Sequence, residues 1–180
     1  MKRLPLNTPR TKIIKNLLIA NAGIYGIYLL SPGPYKMQFQ RQFTAAPDSN
    51  FESLAYFHFA HTSLAQFVFT SGVLYTLGNY HVAAYGCSHF MRLFGASALG
   101  GSILTTIGLK SGSATQGQAG AIAPAAGLIA YHVFRNPAWF KFALGPVQLL
   151  AALTLYGAVY GDRAALGGIG FGYLAFIFGL

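Results

Sequence analysis

Apolar residues lie along the chain in six long stretches, and charged or proline-containing segments separate them. A helix that spans the ~30 Å hydrocarbon core of a bilayer needs about 20 mostly apolar residues, and each stretch comes close to that length. The predicted helices are Ile13–Leu30, Thr62–Tyr80, Met91–Leu109, Gln118–Phe134, Ala138–Tyr160 and Ala164–Leu180. The pattern therefore predicts an all-α integral membrane protein with a bundle of six transmembrane helices.

The longest connection, residues 31–61, is predicted to be a large first loop rather than a separate domain. Prolines interrupt it, and its apolar residues indicate an amphipathic piece in the membrane interface. Those apolar residues are Tyr35, Met37, Phe39 and Phe43. We divide the chain into a basic N-terminal tail, residues 1–12, and one membrane domain, residues 13–180.

Composition supports a bilayer as the solvent. With 54% hydrophobic and only 8% charged residues, the chain has too little polar surface to cover a soluble globule. The net charge of +9 raises nucleic acid as a partner, but most basic residues flank the first apolar stretch instead of forming a basic face among aromatics. We therefore expect no nucleic-acid partner. The single cysteine, Cys87, excludes an internal disulfide.

The basic residues also predict orientation, because cationic loops stay on the inner side of a membrane. The residues predicted to lie inside are Lys2, Arg3, Arg10, Lys12, Lys15, Arg92, Arg135 and Lys141, against Lys36, Arg41, Lys110 and Arg163 outside. Both termini then face the inside. The acid-free first 47 residues are compatible with mitochondrial import, and they are equally compatible with a retained basic flank of the first helix.

Three segments carry a resemblance to a known family. Residues 117–123 resemble the rhomboid nucleophile motif, with Ala119 at the serine position of Gly-x-Ser-Gly. Residues 165–172 resemble the rhomboid histidine motif, His-x-Gly-Gly-x-x-x-Gly, with Ala165 at the histidine position. On the second helix, the family pattern of two histidines, an asparagine and a later glycine aligns with His61, Gln66, Thr70 and Gly78. His61 and Gly78 match the pattern, whereas Gln66 replaces the second histidine, an oxyanion donor in the family, and Thr70 replaces the asparagine.

The segments 57–64, 85–91 and 162–168 are most similar to the mitochondrial branch, the presenilin-associated rhomboid-like proteases. The chain departs from the family in its first loop, which has no Trp-Arg pair. Glycine-rich helices also produce such motifs as packing surfaces, but the order and spacing of the three segments favour the rhomboid interpretation. The resemblance implies close helix packing at Gly78, Gly117, Gly120, Gly167, Gly168 and Gly172.

The substitutions predict loss of catalysis. An alanine methyl can neither attack a carbonyl nor carry a proton, so Ala119 and Ala165 cannot supply a nucleophile and a base. We expect Gln66 and Thr70 to form hydrogen bonds with each other or with a neighbouring helix, rather than to serve as oxyanion donors.

The other polar residues suggest no enzyme. The five histidines do not form a metal-binding pattern on one helix, so no metal is expected. His58 and His61 are expected to bond to loop backbone, whereas Ser71, Ser97, Ser102 and Thr106 have no obvious base nearby. Tyr131, Trp139, Tyr156 and Tyr160 are interpreted as anchors at the membrane interface.

Two functions therefore compete. The preferred one is a catalytically inactive rhomboid-like subunit of a membrane protein complex, in the mitochondrial inner membrane, of the respiratory-chain or ATP-synthase type. The alternative is a client-binding pseudoprotease for sorting or quality control, similar to derlins. An active protease with a displaced nucleophile is the least favoured. Other integral membrane proteins and lipids are the expected partners, and Arg92, Arg135 and Lys141 are candidates to hold phospholipid headgroups, cardiolipin in a mitochondrial membrane.

Overall fold

The computed structural model describes residues 12–43, 56–61, 63–110, 120–135, 148, 150–155 and 162–179. Over these residues the chain is helical and contains no strand, so the predicted all-α class is confirmed. The helices are α1 (Lys12–Leu30), α2 (Gly33–Phe43), α3 (Leu64–Val73), α4 (Asn79–Tyr85), α5 (Cys87–Lys110), α6 (Ile122–Arg135) and α7 (Arg163–Ile177). A 3-10 turn, Phe57–Phe59, precedes α3.

Two described helices are long and apolar enough to cross a membrane: α1, and Cys87–Ile107 within α5. Helix α7 is apolar but shorter. Most of the predicted fifth span, Ala138–Tyr160, lies outside the described residues, with helical structure described at 148 and 150–155. The structure thus supports an all-helical protein with two candidate spans.

The predicted second span is one helical run that contains a π turn, Leu74–Gly78, between α3 and α4. The wider turn leaves backbone carbonyls without their usual partners. Two side chains form hydrogen bonds to carbonyls around this turn: the Thr76 hydroxyl donates to the Gly72 carbonyl at 2.7 Å, and the Asn79 amide donates to the Tyr75 carbonyl at 2.6 Å. These polar side chains stabilise the turn inside an otherwise apolar helix.

Helix α6 is the centre of the assembly, since it is buried from Ile122 to Val133. Glycines let α5 and α7 pack closely against it and against each other. A Cβ atom on Gly168 would overlap the Ala123 carbonyl, and one on Gly167 would overlap the Gly100 carbonyl. Substitution of either glycine would therefore push two helices apart.

Helices α1 and α2 attach through aromatic contacts. In α1, Tyr25 stacks on Phe67 of α3 with ring centroids 4.8 Å apart. Helix α2 lies in the predicted first loop, and its Phe39 ring centroid is 5.9 Å from that of Tyr28. The α2 ammonium of Lys36 also lies 4.5 Å from the Tyr28 ring centroid, a cation–π contact.

Candidate functional site

The candidate site is a junction where the 57–61 segment, the middle of α5 and the first turns of α6 and α7 meet. The Gly120 N–H donates to the Phe57 carbonyl at 2.9 Å, and the Phe57 ring fills the space that a Gly120 side chain would occupy. A Cβ on Gly101 of α5 would lie 2.5 Å from Ala123 Cβ and 3.3 Å from the Ala164 carbonyl. Backbone contacts thus hold the starts of α6 and α7 together.

Ala165 lies within this junction and is fully buried. It belongs to the same apolar cluster as Ile122 and Ala123 of α6. The other predicted reacting position, Ala119, lies outside the described residues, next to the described Gly120. The structure therefore brings the start of α6 against residue 165, and that residue presents only a methyl group.

Asp162 begins α7 at the edge of the junction. Its carboxylate accepts a hydrogen bond from the Ala165 N–H at 3.1 Å, which caps the helix. Burial raises the pKa of Asp162, and the hydrogen bonds from backbone N–H groups partly offset that rise. The carboxylate is therefore committed to the helix terminus.

A serine–histidine pair crosses the junction, and the expectation that Ser102 has no base nearby is wrong. His58 Nδ1 lies 3.3 Å from the Gly120 carbonyl, and His58 Nε2 lies 2.8 Å from Ser102 Oγ. A carbonyl can only accept, so Nδ1 carries the proton and Nε2 accepts from the Ser102 hydroxyl. Burial lowers the pKa of His58 to about 4, which keeps the ring neutral. The sequence missed this pair because 44 positions separate its members.

The predicted second-helix residues take different surroundings. Both ring nitrogens of His61 are buried without a hydrogen-bond partner among the described residues, so the expected bond to loop backbone is wrong. Aromatic contacts hold the ring instead: Tyr25 and Phe67 meet it edge to face at 6.0 Å and 5.2 Å. Burial lowers the pKa of His61 to about 4.

The prediction that Thr70 forms a hydrogen bond with Gln66 or with a neighbouring helix is also wrong. The buried Thr70 hydroxyl has no partner in the described part of the chain. Gln66 borders a cavity of about 370 Å³ between α3, the start of α6 and the 150–155 stretch. The described residues that line the cavity are Ser63, Ala65, Gln66, Phe69, Ile122, Ala152 and Leu153. The described part of this wall is mainly apolar, with one hydroxyl and one amide.

The predicted packing glycines lie at helix contacts where they are described. A Cβ on Gly78 would lie 3.0 Å from Ile14 Cδ1 of α1, and one on Gly172 would overlap the Gly127 carbonyl. Gly120, Gly167 and Gly168 lie at the contacts given above. Gly117 lies outside the described residues.

A second polar cluster lies about 20 Å from the junction along α5. We call it the histidine chain: His132, His81, His89 and Tyr131. His81 Nδ1 lies 3.1 Å from His132 Nε2, and His81 Nε2 lies 2.8 Å from His89 Nδ1. The Tyr131 hydroxyl lies 3.4 Å from His89 Nε2. Because Tyr131 is buried, its interpretation as an interface anchor is wrong.

The turn between α4 and α5 positions two members of this cluster. His81 and His89 flank Gly86, which has φ 87° and ψ 166° and turns the chain between α4 and α5. His81 lies five residues before this turn and His89 three residues after it, and the turn brings their rings to a centroid distance of 4.9 Å. His132 lies in the last turn of α6, at the same end of the assembly.

Arg92 and Arg135 lie beside the histidine chain, and both are exposed. Each is close enough to His89 to act on it electrostatically, and the Arg135 guanidinium lies 6.0 Å from the Tyr85 ring centroid. The third lipid candidate, Lys141, lies outside the described residues. Over the described ranges, no group of three or more His, Cys, Asp or Glu residues is arranged to hold a metal ion.

Comparisons of the chain with protein-family models, curated proteins and solved structures found no match. The described geometry itself defines two polar places in an apolar helical assembly. One is the junction around Gly120, with a neutral serine–histidine pair and a buried alanine at position 165. The other is a hydrogen-bonded row of imidazoles beside two exposed arginines.

Proposed function

We propose that this chain is a catalytically inactive rhomboid-like membrane protein that serves as an accessory subunit of a membrane protein complex. The observation that carries the proposal is the buried methyl of Ala165, at the meeting of α6 and α7, where the rhomboid resemblance places a catalytic histidine. A serine mechanism needs a base at that point, and a methyl group cannot remove a proton.

The packing around Ala165 supports a structural role. Gly101, Gly167 and Gly168 bring three helix backbones into contact at the junction. An enzyme site needs space for a substrate carbonyl and for donors to its oxyanion. Around Ala165 the backbones of neighbouring helices are in contact, which suits a scaffold more than a reaction centre.

The location is part of the proposal. Helix α1 and residues Cys87–Ile107 of α5 have the length and apolar character of membrane spans. We place the chain in the mitochondrial inner membrane, in a respiratory-chain or ATP-synthase type assembly, with both termini on the matrix face. The acid-free basic N-terminal region supports that placement. Anionic phospholipid at Arg92, Arg135 and Lys141, cardiolipin in this membrane, completes the proposal.

The cavity beside Gln66 favours a second candidate, a pseudoprotease that binds membrane clients. Its volume of about 370 Å³ falls within the range of ligand pockets. The described wall, mainly apolar with one amide and one hydroxyl, fits a side chain from an apolar client helix that carries a small polar group. The Ala152→Trp variant would fill this cavity, whereas Ala151→Trp adds the same bulk at an exposed neighbour outside the cavity wall.

The hydrogen bond between Ser102 and His58 is the observation in favour of an active protease, and that hypothesis is still the least favoured of the three. A base with a pKa of about 4 is a weak proton acceptor at neutral pH. The same ring also ties the 57–61 segment to Gly120, which explains its burial without catalysis.

Purification in mild detergent separates these functions. The subunit proposal predicts one assembly of constant composition on a native gel, unchanged by either tryptophan variant. A varying set of single-span proteins, lost from Ala152→Trp but retained by Ala151→Trp, would instead support client binding. Cleavage of a helical substrate by the wild-type protein, blocked by a serine-directed probe and abolished in Ser102→Ala, would refute both.

A further inference from the structure

The exposed arginines near the histidine chain have no described counter-charge. No carboxylate in the described ranges forms an ion pair with Arg92 or Arg135. The whole chain has three acidic residues, and Asp162 is engaged at the opposite end of α7. Arg92 lies three residues after His89 on α5, and the Arg135 guanidinium lies 6.0 Å from the Tyr85 ring, whose centroid is 5.3 Å from that of His89. The two guanidinium groups therefore create a concentrated positive potential around His89.

The histidine chain can present a hydrogen-bond donor beside these two arginines. Each contact between two ring nitrogens holds one proton, and each neutral imidazole carries one proton. The three rings therefore have two consistent proton arrangements, in which the hydrogen bonds run in opposite directions along the row. In one of them His132 donates to His81, His81 donates to His89, and the remaining proton is on His89 Nε2. An anion at the outer end favours this arrangement, because hydrogen bonds in a row polarise one another.

The outer nitrogen of His89 also has capacity for a ligand. Its contact with the Tyr131 hydroxyl is 3.4 Å, longer than the 2.7–3.2 Å of ordinary hydrogen bonds. His89 is only partly buried, unlike His81 and His132. His89, the more exposed end of the row, therefore also has the longest hydrogen-bond contact within the cluster, the one to Tyr131.

We propose that Arg92, Arg135 and His89 Nε2 bind a phosphate group, with His81 and His132 as positioning residues that orient the His89 proton. The guanidinium groups supply charge and paired N–H donors, the arrangement that matches phosphate oxygens. The phosphate belongs either to an anionic lipid headgroup or to a free phosphate ion. This inference rests on the lipid part of the proposed function and adds the histidine chain to it.

Lipid retention in nanodiscs tests the site. The probes are phosphatidylglycerol against phosphatidylcholine for the lipid source, and inorganic phosphate in neutral detergent for the free ion. We expect Arg92→Gln/Arg135→Gln to lower phosphatidylglycerol retention about 25-fold, or about fivefold per arginine. The matched control, Lys12→Gln/Lys15→Gln, removes the same charge from α1 and should retain the lipid. Equal loss in both double variants would show a diffuse surface field and overturn the site.

Nitrogen NMR of labelled histidines tests the positioning role. In the wild-type protein, phosphatidylglycerol or inorganic phosphate should shift the His89 Nε2 signal toward the protonated tautomer, and the arginine variant should lose this shift. A response to phosphate alone identifies a free ion as sufficient, and a response to phosphatidylglycerol alone identifies a headgroup. An unchanged His89 signal with both probes overturns the proposal.

Two further measurements keep the outcome interpretable. If the glutamine variant does not fold, Arg92→Lys/Arg135→Lys keeps the charge without the paired donors, and its lipid retention should fall between wild type and background. Full retention would contradict phosphate recognition by guanidinium. The native-gel assembly of each arginine variant is measured on the same samples. Loss of lipid with an intact assembly supports this site. Unchanged lipid with an intact assembly refutes the site and leaves the proposed subunit function in place.

Discussion

Replacement of Gly168 by alanine is the sharpest test of the packing at the junction. The added Cβ would overlap the Ala123 carbonyl and lie 2.7 Å from Ala123 C and 2.8 Å from its Cα. Ordinary carbon contacts are about 3.5–4.0 Å, so α6 and α7 would have to separate by roughly 1 Å. Overpacking of this kind costs about 1–3 kcal/mol of unfolding free energy.

Gly170 is the matched control on the same helix. A Cβ there meets nothing within 4 Å, so Gly170→Ala should raise stability by about 0.4–1 kcal/mol through the unfolded chain. The assay is thermal unfolding in detergent, followed by helical circular dichroism, with both variants beside the wild type. If Gly168→Ala were as stable as Gly170→Ala, the close contact of α6 with α7 would be refuted, and the buried position of Ala165 would lose its support.

Three further predictions concern other contacts. Burial lowers the pKa values of His58 and His61 from 6.5 to about 4, so between these pH values the unfolded chain binds more protons than the folded protein. The stabilisation from these two neutral rings should therefore be complete above pH 6.5. It should fall toward pH 4 by up to about 1.4 kcal/mol per pH unit for each ring. Thermal unfolding across this range checks it, and a flat profile for the wild type would contradict the neutral buried rings. Ser102→Ala should lower the unfolding free energy by about 1 kcal/mol in the same assay, because it removes the hydrogen bond to His58. Neither this variant nor the wild type should be labelled by a fluorophosphonate probe. Labelling that depends on Ser102 would contradict a purely structural role for the pair. Gly86→Ala forces a side chain into a backbone region used almost only by glycine and should cost about 1–3 kcal/mol, whereas Gly95→Ala, in open helical space, should not destabilise.

The sequence predicted the helices better than their contacts. Long apolar runs are a local signal, and the predicted Ile13–Leu30 helix is found as Lys12–Leu30. The predicted Met91–Leu109 helix begins four residues earlier, at Cys87, because Gly86 makes the turn that precedes it. The π turn after Val73 was not predicted, since Thr76 and Asn79 act by bonding to carbonyls that a sequence pattern does not reveal.

The polar contacts could not be predicted from local patterns. His58 meets Ser102 and Gly120 only because α5 and the start of α6 come together in space. Gln66 and Thr70 are one helical turn apart, which favours a bond between them, yet Gln66 borders the cavity and Thr70 has no partner in the described chain. Side-chain direction decided these cases, and spacing alone does not determine it.

The π turn has a consequence for the histidines that follow it. Each residue advances an α-helix by about 100°, so the additional residue in Leu74–Gly78 sets a rotational offset between the two parts of this helical run. Val73, before the turn, packs into the apolar cluster around Ile122, and His81, after it, points to His132. A one-residue deletion between them would restore regular winding and turn His81 away from its partners. The offset therefore lets one helical run contact the cluster around Ile122 before the turn and His132 after it, whereas a regular α-helix would not direct side chains toward both.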